Sequence, residues 1–146
     1  MKGGENVVKT YLCSIAGVVF SGIAYILGGW DEAVITLLIF MGIDFITGLI
    51  VGGVFHKSGK TETGSLESKA GFKGLCKKGC IILLIIVANR LDMQLGSSYV
   101  RDAVCIAFII NELISILENI GLMGVPIPKI ITKAIEILKN KEGETE

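Results

Sequence analysis

Three ionisable residues stand inside long apolar stretches of this sequence: Asp44, Arg90 and Glu112. A charged side chain at the centre of a helix surrounded by lipid costs about 2.5 to 3.5 kcal/mol on insertion scales, so each of the three needs a partner or a role. Counting about 1.5 Å per helical residue from the end of each apolar stretch places all three at a similar depth. The spacing therefore predicts one shared polar cluster, with Arg90 as the counter-ion of the two carboxylates.

A stripe of polar residues also crosses the last apolar stretch. Asn111, Ser115 and Glu118 recur at i, i+4 and i+7, which is one face of a helix, and Glu112 and Asn119 flank them. Polar contacts between helices, a water-filled pore lining and an ion or proton relay are three open interpretations of such residues. The predicted pore-lining or intramembrane polar residues are Asp44, Asn89, Arg90, Asn111, Glu112, Ser115, Glu118 and Asn119.

The residue patterns of enzymes are missing from the sequence. The single histidine, His56, lies in a polar loop without a serine and aspartate set around it, and there is no phosphate-binding glycine loop. Cys76 and Cys80 have helical i, i+4 spacing, but a metal site needs more ligands than these two thiols. We therefore expect a protein that is not an enzyme, with no catalytic, cofactor-binding or metal site.

The composition is that of a chain whose solvent is lipid. Hydrophobic residues make up 51% of the 146 residues and charged residues only 19%, and the mean hydropathy is +0.68. These values are too apolar for a surface that faces water. The formal net charge is zero, so no overall positive field exists to attract nucleic acid. The sequence predicts an all-α integral membrane protein.

The distribution of lysine predicts how the chain crosses the membrane. Every lysine falls in the first ten residues, in residues 57–78 or in residues 129–141. About four membrane-spanning helices, over residues 11–29, 33–55, 79–96 and 99–120, place all three lysine groups on one side, which is the cytoplasm by the positive-inside rule. Both termini are then cytoplasmic in a bacterial cell membrane. Three spans are the alternative.

Two further features lie within residues 1–128, the predicted transmembrane domain. Small residues four apart, Gly17 with Ser21 and Gly48 with Gly52, are typical of close helix packing. The cytoplasmic loop 56–78 ends in a basic segment that can contact anionic lipid head groups. The lysines predicted to do so are Lys69, Lys73, Lys77 and Lys78.

Residues 129–146 follow the break made by Pro126 and Pro128. In this segment Ile130, Ile131, Ala134, Ile135 and Leu138 share one helical face. The pattern predicts an amphipathic helix at the membrane interface or against a partner, followed by a charged cytoplasmic tail.

Several motifs occur in a fixed order between Gly28 and Leu138. They are Gly29-Trp30-Asp31, Asp44-Phe45-Ile46-Thr47-Gly48, the loop segment 68–75 with Lys77-Lys78, Ala88-Asn89-Arg90-Leu91-Asp92, the segment 111–119 and Gly124-Val125-Pro126-Ile127-Pro128-Lys129. With this ordered set the sequence resembles the small holins of phages and prophages of Gram-positive bacteria, including the toxin-secretion and phage-lysis holins of clostridia.

The resemblance implies a protein that accumulates in the cytoplasmic membrane, forms homo-oligomers and opens lesions through which an endolysin or a large toxin leaves the cell. Two other classes fit the residues. A selective ion or proton channel or small transporter would use Asp44, Arg90 and Glu112 as a defined relay. A non-conducting membrane adaptor would recruit a soluble partner through the loop and the C-terminal helix.

Overall fold

The structure, a computed structural model, describes residues 2–133 and 137, and this part of the chain is helical without strands. Four α-helices follow one another: α1, Lys2–Leu27; α2, Glu32–Ile50; α3, Ser68–Leu95; and α4, Tyr99–Leu122. A short π-helix, Val51–Phe55, extends α2. The all-helical fold predicted from the sequence is confirmed for the described residues.

Local sequence signals set the helix ends. The side chain of Asp31 accepts a hydrogen bond from the backbone N–H of Val34 and so caps the start of α2. Gly96 ends α3 with a φ of 64°, a left-handed conformation that glycine adopts without strain. These two ends define short turns, residues 28–31 between α1 and α2 and residues 96–98 between α3 and α4.

The hydrophobic core lies where α2, α3 and α4 meet near these two turns. Its buried members are Leu27, Val34, Leu37, Met41, Ile85 and Cys105. The pair α2 and α4 makes the most extensive contact, and α3 packs mainly on α4. Apolar packing therefore holds one half of the bundle, and the other half contains polar side chains.

Within the described part of the chain, helix α1 contacts the bundle near its C-terminal end. In the most apolar stretch of Glu5–Leu27 only 6% of the helix is buried, against 28% in the corresponding stretch of Glu32–Phe55. Large apolar side chains such as Leu12, Val18 and Phe20 are exposed along its length. In a membrane these side chains face lipid or another protein chain.

The two short turns lie at the same end of the bundle. The guanidinium of Arg101, at the start of α4, hydrogen-bonds Asp31 at the start of α2. Asn89, late in α3, donates to the carbonyl of Ile26 at the end of α1. The loop 56–67 is consequently at the opposite end, and α3 runs from that end back to the turns.

Among the described residues, three helices are long and apolar enough to cross a membrane: Glu5–Leu27, Glu32–Phe55 and Tyr99–Leu122. Helix α3 is long enough, with 28 residues, but its apolar part, residues 79–95, follows Lys78 directly and contains Arg90 and Asp92. The predicted third span, residues 79–96, therefore stays a prediction. Helix α3 also begins at Ser68, so the basic segment before Gly79 is continuous with it.

The predicted C-terminal amphipathic helix lies only partly within the described residues. Residues 129–133 and 137 are helical, and two residues of the predicted apolar face, Ile130 and Ile131, are exposed. The other residues of its predicted apolar face, Ala134, Ile135 and Leu138, lie outside the described residues, so the helix as a whole stays a prediction.

Candidate functional site

The buried face of α2 carries Asp44 into the centre of the bundle. Val34, Leu37, Met41 and Asp44 are the buried residues of this helix, and they are separated by three or four positions, as one helical face requires. Asp44 is therefore held by the same periodicity that buries the apolar residues before it. Its side chain points at α3 and α4, where its partners lie.

Lys78 bridges two buried carboxylates. Its Nζ lies 2.8 Å from Oδ2 of Asp44 and 2.5 Å from Oε2 of Glu112. The three side chains are 12%, 9% and 7% exposed, in the order Lys78, Asp44 and Glu112. One ammonium group thus joins α2, α3 and α4 at a site where little of each side chain is exposed, and breaking a buried ion pair is costly.

Two polar residues of α4 complete the hydrogen bonding of Asp44. Ser115 Oγ donates to Asp44 Oδ1 at 2.5 Å. Asn119 Nδ2 donates to the same oxygen at 3.1 Å and to Thr47 Oγ1 at 3.0 Å. We call Asp44, Lys78, Glu112, Ser115 and Asn119 the central polar cluster. No buried side-chain nitrogen or oxygen of the described residues lacks a hydrogen-bond partner, and the hydrogen bonds of the cluster all lie within one chain.

The prediction that Arg90 is the counter-ion of the two carboxylates is wrong. Arg90 is exposed, its guanidinium stacks over the ring of Tyr25 at 5.8 Å, and Nη1 lies 3.6 Å from Met93 Sδ. Helical periodicity explains the difference. The buried residues of α3 are Ile85, Ala88, Asn89 and Asp92, and Arg90 lies on another face.

The same periodicity, carried backward along α3, identifies Lys78. Seven residues before Ile85, which is two helical turns, the buried face reaches Lys78. The sequence had assigned this lysine to the lipid-contacting loop because it ends a basic segment. Its long side chain instead extends inward along the helix, so that the ammonium meets Asp44 and Glu112.

The polar stripe of α4 is divided between two environments. Glu112 and Asn119 are buried and Ser115 is partly buried, whereas Asn111 and Glu118 are exposed. The first three meet α2 or α3, and the last two are free to face water, lipid head groups or another chain. The structure thus brings Asp44, Glu112, Ser115 and Asn119 together, and it leaves Asn89 and Arg90 elsewhere.

Asn89 belongs to a second cluster, at the end of the bundle that carries the short turns. Arg101 Nη1 donates to the carbonyl of Gly28 at 2.7 Å, and its guanidinium also pairs with Asp31 and with Asp102. Asp92 accepts from the backbone N–H of Arg101 at 2.8 Å. We call Asp31, Asn89, Asp92 and Arg101 the turn cluster.

Sequence reasoning missed the turn cluster, although a signal for it was present. Arg101 stands in a segment that otherwise lacks basic residues, directly after the turn residues Gly96 to Ser98. An arginine at a turn between apolar helices has free carbonyl groups and acidic caps within reach, because helix ends leave carbonyl groups unpaired.

The small residues predicted to pack helices have different surroundings. A Cβ atom added at Gly17 would have no neighbour within 4 Å, and Ser21 is exposed. At Gly48 the added atom would lie 3.8 Å from Asn119 Nδ2, and at Gly52 it would lie 3.3 Å from the backbone of Leu66. Gly48 therefore contacts α4 and Gly52 the loop, while helix packing at Gly17 and Ser21 stays a prediction.

Comparison with known proteins finds a family whose sequence pattern matches most of this chain. The sequence pattern described as the bacteriophage holin family matches residues 21–140. A probable holin of Bacillus phage phi105 is 31% identical over 74% of this chain and 75% of its own length.

Bacterial proteins are more similar to the chain. An uncharacterised protein of Clostridium perfringens is 39% identical over 90% of this chain and 95% of its own length. An uncharacterised protein of Listeria monocytogenes is 40% identical over 84% of this chain and 82% of its own length. No solved structure matches the chain.

Proposed function

This chain belongs to the bacteriophage holin family, and on that premise we propose that it oligomerises in the cytoplasmic membrane and opens lesions there. A cytoplasmic endolysin or a large toxin would leave the cell through these lesions. Family membership and the apolar helices make the chain a membrane protein; the lesion, its cargo and the oligomer are the proposal.

The observation that carries the proposal is a buried polar cluster whose ion pairs lie within a single chain. Asp44, Lys78 and Glu112 satisfy one another within a single chain, so the folded monomer shows few charges to the lipid. If α2 and α4 separate, the same groups become a polar face that water can wet. The cluster therefore suits a protein that forms no lesion while its helices are packed and that exposes a polar face when α2 and α4 separate.

The exposed helix α1 supports the assembly step of the proposal. Its side chains are exposed nearly all the way round, and a span that contacts only lipid gains no helix packing energy. A neighbouring chain would supply that packing. Lesion growth then needs no catalytic group, because lateral association of helices is a physical process.

The test is inducible expression in a bacterium with and without a co-expressed endolysin that lacks a signal sequence. Optical density, membrane potential and release of a folded cytosolic reporter are followed together. We expect abrupt lysis only with the endolysin, accompanied by reporter release. Unchanged optical density with no depolarisation contradicts the proposal and favours the adaptor.

Neutralising one cluster carboxylate should change the timing of lysis. Asp44 accepts hydrogen bonds from α3 and α4, so Asp44→Asn weakens the paired state and we expect lysis to begin earlier. Glu32→Gln, an exposed carboxylate at the start of the same helix, is the matched control. Equal onset for both variants at equal membrane levels would remove the cluster from the mechanism.

A selective ion channel is the second candidate, because the cluster places two carboxylates and one ammonium in a fixed geometry within one chain. A selective channel excludes folded proteins. Membrane depolarisation without release of either the endolysin or the reporter would therefore favour the channel.

A further inference from the structure

A cavity opens between α3 and α4 on the side of the central polar cluster. Its volume is about 700 Å³. The apolar core lies nearer the short turns, so the two helices leave this space toward the end that carries the loop 56–67. The lysine-rich end of the bundle is therefore hollow, and the residues that line the space determine what it can bind.

Four lysines line the cavity, and their pairing divides them into two kinds. Lys78 is neutralised by Asp44 and Glu112. Lys60, Lys73 and Lys77 are exposed, and among the described residues none of them has a carboxylate within salt-bridge distance. The accessible part of the cavity thus carries three free ammonium groups.

The negative charges of the lining do not cancel these three ammonium groups. Asp44 and Glu112 share Lys78, which leaves one negative charge, and Glu118 is the third carboxylate of the lining. Four lysines and three carboxylates leave a net charge of +1. The accessible lining thus carries more positive than negative charge, which favours an anion. Flexible lysines that converge from a loop and a helix suit a phosphate group, which accepts several hydrogen bonds at once.

The apolar part of the lining indicates that the phosphate belongs to a lipid. Ile81 and Ile114 line the cavity about one helical turn from Lys77 and Glu118, respectively. A free anion gains nothing from these side chains, whereas an acyl chain packs on them. Lys73 and Lys77 lie in the second and third turns of α3, in the half of the helix that follows the loop 56–67. If α3 crosses the bilayer, this is the half nearer the head groups.

We propose that this cavity binds the phosphate head group of an anionic membrane lipid through Lys60, Lys73 and Lys77, with an acyl chain along Ile81 and Ile114. This set differs from the lysines predicted from the sequence. Lys78 is occupied by its ion pairs, Lys69 lies outside the lining, and Lys60 enters from the loop. The bound lipid bridges the loop and α3 and stabilises the bundle.

The experiment measures thermal unfolding of the purified full chain in nanodiscs of phosphatidylcholine, with increasing fractions of phosphatidylglycerol. Each surface lysine contributes about fivefold to the affinity for an anionic membrane. We expect phosphatidylglycerol to raise the melting temperature of the wild type, and the half-saturating fraction to rise about thirtyfold in Lys73→Gln/Lys77→Gln.

A matched pair of lysines controls for general electrostatic attraction. Lys57 and Lys69 are exposed and lie outside the lining, so Lys57→Gln/Lys69→Gln removes the same charge and should keep the wild-type response. Lys73→Arg/Lys77→Arg should keep it too, which separates loss of charge from loss of fold. Equal weakening in both glutamine variants overturns the proposal.

A further measurement distinguishes a lipid head group from a free phosphate compound as the ligand. Glycerol phosphate is added to the protein in phosphatidylcholine nanodiscs alone. Stabilisation equal to that of phosphatidylglycerol would overturn the assignment to a lipid, and the absence of stabilisation supports it. The proposed lipid site requires that the chain resides in the membrane, but it does not require lesion formation. A negative lysis experiment would therefore leave the result of the nanodisc experiment unchanged.

Discussion

At the scale of the residue, one ammonium group is the shared ion-pair partner of two buried carboxylates. Lys78 lies within 2.8 Å of Asp44 and within 2.5 Å of Glu112, and Ser115 and Asn119 satisfy the remaining acceptor positions of Asp44. Such a cluster is costly to form from charges in water, and removing one member is costlier still because the others stay buried without a partner.

Lys78→Met should therefore destabilise the chain strongly. The substitution keeps most of the side-chain volume and removes the only cation that contacts the cluster among the described residues. We expect a loss of about 3 kcal/mol in the free energy of unfolding, measured by denaturation in detergent micelles. Lys69→Met, at an exposed lysine of the same helix, should lose less than about 0.5 kcal/mol.

A triple variant separates charge from packing in this prediction. Adding Asp44→Asn and Glu112→Gln to Lys78→Met leaves hydrogen-bonding groups of similar shape without a net charge. We expect the triple variant to recover most of the lost stability, since the isolated carboxylates are gone. No recovery would mean that the methionine fails for steric reasons.

The sequence predicted which acids meet but not which base they meet. Depth along two helices is fixed by counting residues from the ends of apolar stretches, so Asp44 and Glu112 could be matched. The choice between Arg90 and Lys78 depends on which face of α3 is buried, and the apolar run from Gly79 to Ala88 contains large residues on every face. The buried face of α3 is determined by its packing against α4 and α2, which the sequence of α3 alone does not contain.

At the scale of the element, the apolar stretches predict where the helices begin and end, whereas polar contacts hold the turns between them in place. The predicted start of the last span at residue 99 coincides with the start of α4, and its break after residue 120 lies within two residues of the observed end. By contrast, the turn cluster connects groups far apart in the chain, and pairwise contacts of this kind leave no periodic trace in a sequence.

Arg101→Gln should loosen the junction of the helices at the short turns. Arg101 bonds the carbonyl of Gly28 and pairs with Asp31, and these contacts hold the α1–α2 turn against α4. We expect faster amide hydrogen exchange of residues 27–34 and a loss of about 1.5 to 3 kcal/mol in the free energy of unfolding, the range for hydrogen bonds to charged groups.

Arg90→Gln is the matched control for this change. Arg90 is exposed and makes a stacking contact with Tyr25, which is worth about 0.5 to 1 kcal/mol at such a site. Exchange of residues 27–34 should stay near the wild-type rate. Equal effects of both variants would show that total charge, and not the turn cluster, governs this end of the bundle.

At the scale of the whole molecule, the contacts bear on the number of spans. Helix α3 has 28 residues and so is about 42 Å long, more than the roughly 30 Å of a hydrocarbon core. Its first half meets the middle of α2 and α4 through Lys78, and its second half reaches the end of α1 through Asn89. A helix that runs the length of two spanning helices crosses the membrane with them, which favours four spans.

The side of the membrane on which Ser98 lies tests this inference. In a chain whose four cysteines, Cys13, Cys76, Cys80 and Cys105, are replaced by alanine, Ser98→Cys is compared with Gly59→Cys; both positions are exposed. Four spans place residue 98 outside the cell and residue 59 in the cytoplasm, because every lysine group then lies inside.

An impermeant maleimide applied to protoplasts should therefore label Ser98→Cys at once and Gly59→Cys only after permeabilisation. Three spans would leave both positions in the cytoplasm and move the lysines after Pro128 outside, against the positive-inside rule. Labelling of both variants only after permeabilisation would thus show that α3 does not cross. The Lys78 ion pairs would then tie α3 to α2 and α4 from the cytoplasmic side, and the central polar cluster would have to lie at the membrane surface instead of within it.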